Sequence, residues 1–256
     1  MMSFENLQTK IQNAKTLDFG AIINDAFELY KKIWLKGFLI MLILVILVIG
    51  ISLVFAFLSL APEPYAFNDG FTFDSLTKFY SNNAIYSIPQ TIIISTLTIA
   101  FIGAFYRMCG QKDFSKNDAD DYFYFLKKEY FSKILMLGII YTAIATVAQI
   151  LFLIPYIYVF IPLSYFSIIF AYNTDLSEIE IVKASFSLGN KKWFITFGTM
   201  FIAGIMGMLG VLACGIGLLF TMAIVYLPVF IIYKEVIGLE DNHTTEHIDM
   251  HEDSDS

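Results

Sequence analysis

Charge is scarce in this chain, and so are the residues that usually carry chemistry. Only 15% of its 256 residues are Asp, Glu, Lys or Arg, while 57% are apolar. A soluble domain carries about 25% charged and about 45–50% apolar residues. So much apolar surface exceeds what a water-facing fold hides, which assigns the chain to a bilayer. Its two cysteines, Cys109 and Cys214, rule out a disulfide framework and a CxxC motif. The formal charge of −7 misleads, because residues 240–256 hold seven acidic groups and no Lys or Arg. Elsewhere sixteen acidic and sixteen basic residues balance, which leaves no basic face for a nucleic acid. GxSxG, HExxH and Walker patterns are missing. Gly215-Ile216-Gly217 lacks the strand before it and the Lys-Ser/Thr after it that a phosphate loop needs.

What is present is long apolar runs. A helix needs about 20 such residues to cross a core of roughly 30 Å. Residues 37–60 and 84–106 supply one span each. Residues 134–172 form a single run of twice that length, expected to turn at Ile154-Pro155-Tyr156, since proline lacks the amide proton and disfavours helix before itself. Residues 193–233 are expected to turn at Cys214-Gly215-Ile216-Gly217, where two glycines free the backbone. The reading is six spans, at about 37–60, 84–106, 134–153, 156–172, 193–213 and 217–236; one unbroken long run would make it five. The first run is too long for a signal-peptide core and has no convincing cleavage site, so it is read as a retained span. Around this membrane domain, 18–238, lie a polar segment, 1–17, and an acidic tail, 239–256.

Positive charge sorts the loops. Lys10, Lys15, Lys31, Lys32 and Lys36 precede span one, and Arg107 with five lysines fills the central loop. Lys183, Lys191 and Lys192 precede span five, and Lys234 follows span six. Only Lys78 falls on the other side. Both termini are therefore expected in the cytoplasm, and the sorting itself favours six spans.

The segment before span one is amphipathic. Phe19, Ile22, Ile23, Ala26, Phe27, Tyr30, Ile33 and Trp34 follow helical spacing, with Asn24, Asp25, Glu28, Lys31 and Lys32 opposite and Asp18 as N-cap. This predicts a helix lying on the cytoplasmic surface, in contact with lipid headgroups. A shift of 159 places Ile22, Phe27, Leu29, Lys32, Trp34 and Phe38 on Ile181, Phe186, Leu188, Lys191, Trp193 and Phe197, so the two tryptophans of the chain coincide. Ser177 with Glu180 reads as a capping box and Gly189 as a C-terminal stop. Residues 122–133, after Asp118, Asp120 and Asp121, supply a third case by pattern alone. The expected plan is all-helical: three hairpins, each preceded by a cytoplasmic amphipathic helix. The alternative is that Lys and Trp simply gather wherever a span meets the cytoplasm.

No charge falls in the interior of any span. A charge at the bilayer centre costs about 2.5–3.5 kcal/mol and usually persists only for function. This argues against ion pumps and proton-coupled transporters. Tyr141, Thr142, Thr146 and Gln149 with Ser95, Thr96 and Thr98 either line a polar cavity or hydrogen-bond between helices, the second reading being preferred. Gly204, Gly207 and Gly210 make a thin face on span five, read as helix packing. His243, His247 and His251 align at helical spacing beside Glu246, Asp249 and Glu252, a donor set for zinc, copper or nickel. Their setting has the composition of a flexible, solvating or partner-recruiting tail, and this is the preferred reading.

Three stretches carry a resemblance: DFGAIINDAFELYKKIW, FLIPYIYVFIPLSYFSIIFAYNTDLSEIEIVKASFSLGNKKW and CGIGLLFTMAIVYLPVFIIYKEVIG. Together they resemble the membrane domain of some glycerophosphodiester phosphodiesterases and of stand-alone bacterial membrane proteins, over nearly all of residues 18–238. The chain departs from that pattern at Tyr156, where glycine usually follows the turn proline. The resemblance implies architecture and a bacterial inner membrane but no chemistry. The phosphodiesterase activity belongs to a soluble barrel for which this chain has no room. The carotenoid-oxygenase name of some relatives implies four histidines on iron, against three here, all on the tail. The expected function is a non-enzymatic scaffold, accessory subunit or membrane-organising factor, using no cofactor and meeting lipids and a protein partner. The alternative is a transporter or flippase-like handler of lipids or neutral amphiphiles.

Overall fold

The computed structural model describes residues 2–58, 87–113, 121–213 and 217–239. These are all-helical, and six of the helical segments are long and apolar enough to cross a membrane: Phe19–Phe57, Ile88–Gln111, Lys128–Ile150, Leu153–Tyr172, Trp193–Val211 and Gly217–Ile237. The described residues form ten α-helices, two of which, α1 and α7, lie outside the spans: α1 (Phe4–Gln12), α2 (Phe19–Phe57), α3 (Ile88–Asp113), α4 (Lys128–Ile150), α5 (Leu153–Ser164), α6 (Phe166–Tyr172), α7 (Glu178–Lys191), α8 (Trp193–Met208), α9 (Gly217–Thr221) and α10 (Leu227–Ile237). Three 3-10 turns join in, Tyr124–Leu126, Leu209–Ala213 and Met222–Tyr226. The core holds aromatic side chains such as Tyr106, Tyr165, Phe166 and Phe230, all wholly buried.

The first correction concerns α2. The expected surface helix 19–34 and the expected span 37–60 are one unbroken helix of 39 residues, capped by Asp18, whose carboxylate accepts from Ala21 N at 2.7 Å. At ~1.5 Å per residue it is about 58 Å long. Nothing between Trp34 and Gly37 ends a helix. Gly37 instead permits a close crossing, since a Cβ there would sit 2.5 Å from the Ala223 Cβ. The third amphipathic helix is not formed either: residues 124–126 are a 3-10 turn, and Lys128 already begins α4.

Turns move as well. The helix break falls at Leu151-Phe152, not at 154–156, with Phe152 at φ 86°. Pro155 falls in the first turn of α5, where a missing amide proton breaks no helical bond. Gly189 is inside α7, not at its stop. A Cβ there would meet the Pro162 Cα at 2.6 Å, so the glycine serves the crossing of α7 over α5. The expected turn at 214–217 falls largely on 214–216, outside the described residues. The polar segment 1–17 contains α1, capped by Ser3 and docked through wholly buried Leu7 and Ile11.

Pro162 lies inside α5, in the fourth span. It has no proton to give the Tyr158 carbonyl one turn back, and that carbonyl instead accepts from the Trp193 indole Nε1 at 3.1 Å. The Tyr158 hydroxyl donates to Asn190 Oδ1 at 2.8 Å. The broken α5–α6 pair is thus tied to the α7–α8 joint at two points.

Candidate functional site

Lysines expected on the cytoplasmic side are partly spent on carbonyls. Lys10 Nζ donates to Ile237 O (2.9 Å), Lys133 Nζ to Thr174 O (2.6 Å) and Leu176 O (2.9 Å), and Lys192 Nζ to Lys15 O. With Ser187 Oγ donating to Gln8 Oε1 at 3.0 Å, these bonds lock α1, α7 and the end of α10 into one layer. Helix C-termini carry orphan carbonyls and negative dipole ends, so lysine is the natural donor for them. Burial pushes the Lys192 ammonium below its usual pKa, with Lys191 adding repulsion. Asp121 is held below the usual carboxylate range, first by its hydrogen bond with Lys127. Arg107 lies 3.6 Å from the Tyr124 ring centroid, and Lys127 4.5 Å from it.

The residues expected to face lipid divide into two groups. Ile22 is buried, Ile23 and Phe186 are half-buried, and Tyr30 donates to Phe220 O at 2.7 Å. Phe19, Phe27 and Trp34 are exposed. Trp193, half-buried, stacks on Phe197 with centroids 5.1 Å apart. Of the three glycines, Gly210 makes the closest approach: a Cβ there would lie 2.4 Å from the Gly217 carbonyl carbon. A Cβ on Gly207 would lie 3.5 Å from Thr221 O, and nothing lies within 4 Å of Gly204. His243, His247 and His251 fall outside the described residues, among which no group of three metal-ligating side chains occurs.

The polar residues of spans two and three serve both roles weighed for them. Thr142 Oγ1 donates to Ser95 Oγ across α4 and α3 at 3.3 Å, and Gly138 brings the two backbones together at Thr96. Ser95, Thr98 and Tyr141 also line a cavity of about 270 Å³, completed by residues including Phe160, Ser164, Ser167, Met200 and Tyr226. These positions lie near the middle of five different spans. Two of the walls lie where a span changes its helical pitch, at the Tyr165 joint between α5 and α6 and in the 3-10 turn Met222–Tyr226.

The wall carries hydroxyls and no charge. Ser164 Oγ is taken by Ile161 O (2.7 Å) and Ser95 by Thr142. The hydroxyls of Thr98, Tyr141, Ser167 and Tyr226 make no hydrogen bond among the described residues. The contributions of Ser164, Ser167 and Tyr226 were not legible in the sequence, because they are presented by helix breaks that hydropathy does not register. The proline pair Pro162 and Pro228 is the one local signal for those breaks. No family model, curated protein or solved structure matches the chain.

Proposed function

We propose that this chain is a non-enzymatic integral protein of a bacterial inner membrane, working as a scaffold, accessory subunit or membrane-organising factor. Helix α2 carries the reading. Only 11% of its most apolar stretch is buried, against 28–50% for the other five spans. Ile46, Ile49, Leu53 and Phe57 on its outer half are 54–89% exposed. An apolar face of that length is covered either by lipid or by a helix of another protein. The six spans are taken as three hairpins with both termini in the cytoplasm, a plan supported by the lysine distribution and by the resemblance to the phosphodiesterase-type membrane domain. Phe19, Phe27 and Trp34 meet the lipid surface in this arrangement.

The test is mass spectrometry for protein and lipid on the chain extracted with its native membrane in polymer discs. A protein at near-equal stoichiometry is expected. It should be lost in Ile46→Trp/Leu53→Trp and kept in Phe201→Trp, which alters an exposed position on α8. Recovery with lipid alone, at native expression level, overturns the reading. A second reading, handling of lipids or neutral amphiphiles, is favoured by one observation, the hydroxyl-lined cavity.

A further inference from the structure

We propose that the cavity enclosed by α3, α4, α5, α6, α8 and the 222–226 turn is a binding site for a small uncharged amphiphile. Its hydroxyl or carbonyl head would be held by Tyr141 and Tyr226 and its hydrocarbon body by the apolar part of the wall.

Four features of the cavity converge on that class. The first is charge: no Asp, Glu, Lys, Arg or His lines it. A carboxylate or ammonium would enter a low-dielectric site with no counter-charge, and desolvation rejects it. The second is hydrogen bonding. Thr98, Tyr141, Ser167 and Tyr226 each offer a hydroxyl that donates and accepts, and none is engaged by the described residues. These hydroxyls are not among the buried partnerless atoms; they stay open to the cavity, where a guest with a polar head can meet them. The third is size. About 270 Å³ equals roughly nine water molecules at ~30 Å³ each, just below the range of about 300–1,000 Å³ for small-molecule pockets. A medium-chain alcohol fits this volume; the two acyl chains of a bilayer lipid do not.

The fourth feature is the wall itself. Ser164 and Ser167 stand on either side of the Tyr165 joint between α5 and α6, and Tyr226 closes the 3-10 turn, so two changes of helical pitch turn these polar groups toward one space. Phe160 lines the cavity and is 41% exposed, so the cavity reaches the lipid-facing surface of α5. A guest already dissolved in the bilayer then arrives without crossing water. The proposal does not rest on the scaffold reading: failure to find a protein partner leaves it intact.

The experiment uses the full chain in lipid nanodiscs and octanol bearing a diazirine, irradiated and mapped by peptide mass spectrometry. Label is expected on the peptides containing Tyr141, Ser164 to Ser167, and Tyr226. Octanol should displace it at least tenfold better than octanoate or octane. Tyr141→Phe and Tyr226→Phe keep the rings and the packing, and each should weaken octanol competition about 5–10-fold, one hydrogen bond's worth. Ser167→Leu fills the space and should abolish the label; since that variant can fail to fold, the two phenylalanine variants carry the test. Label spread over lipid-facing positions such as Leu53 and Phe201 overturns the proposal, and a cavity holding water alone gives that result. Equal competition by octane or octanoate, or no change in the phenylalanine variants, overturns it too.

Discussion

The segment from Asp18 to Leu44 and the segment from Ser177 to Ala203 are one pattern put to two uses. A shift of 159 matches their caps: Asp18 accepts from Ala21 N, and Ser177 accepts from Glu180 N. It also matches burial. Ile22, Ala26, Leu29, Ile33, Gly37, Ile40, Met41 and Leu44 fall on Ile181, Ser185, Leu188, Lys192, Thr196, Thr199, Met200 and Ala203, all buried. Yet the first segment runs straight into its span, while the second is interrupted at Lys192, with φ −115° and ψ 22°. The interruption falls where the first segment has Ile33. Isoleucine at a buried position adds only apolar contact and leaves the helix alone. A lysine there must find an acceptor, and Lys192 finds the Lys15 carbonyl. The next residue gives its indole proton to the carbonyl that Pro162 leaves free. Periodicity chooses the buried face, and the partners of a single position decide whether the helix continues.

The sharpest way to break the comparison is to exchange that position. Ile33→Lys buries a charge for which no acceptor is placed, and should cost about 3 kcal/mol or more, read by detergent-mixture unfolding. Lys192→Ile removes a desolvated charge and one hydrogen bond and should stay within about 1 kcal/mol. Equal costs would mean the two positions are not equivalent. Next come the glycines. Gly189→Ala drives a methyl into Pro162 backbone and should cost about 1–3 kcal/mol, while Gly204→Ala, with open space around it, should be neutral or stabilise by about 0.5–1 kcal/mol.

The tryptophans separate by less. Trp193→Phe strands the Tyr158 carbonyl and should lose about 1 kcal/mol. Trp34→Phe, at an exposed ring tilted against Phe220, should change stability by less than about 0.5 kcal/mol. The smallest effect is one of pH. Hydrogen bonds from the Ser177 hydroxyl and backbone hold the exposed Glu180 carboxyl below its usual pKa. A carboxyl so held supports the fold while ionised; its contribution is complete above the ordinary carboxylate range and fades as pH falls through it. Hydrogen exchange in the first turn of α7 should quicken over that interval, and Ser177→Ala should remove most of the pH dependence.

Much of the architecture was legible because a bilayer leaves few choices. Four apolar runs, two of them of double length, become six candidate spans, since only a helix satisfies its own backbone in hydrocarbon. Both caps were legible too, because Asp18 and Ser177–Glu180 act within four residues of themselves. The docking of α1 was not: nine residues with two apolar anchors look like polar chain until Leu7 and Ile11 find their partners. The cavity was half legible. Ser95, Thr98 and Tyr141 stood out as hydroxyls in apolar runs, whereas Ser164, Ser167 and Tyr226 matter only because two spans break beside them.

Sequence alone determined composition, the candidate spans, the two N-caps and the buried stripes after them, since each follows from hydropathy or from contacts a few residues apart. Tertiary structure decided whether a segment continues or kinks, which lysines bind carbonyls, and where unsatisfied hydroxyls converge. Those outcomes depend on partners far away in the chain, from Lys192 to Lys15 and from Trp193 to Tyr158. No local pattern encodes the distance between them.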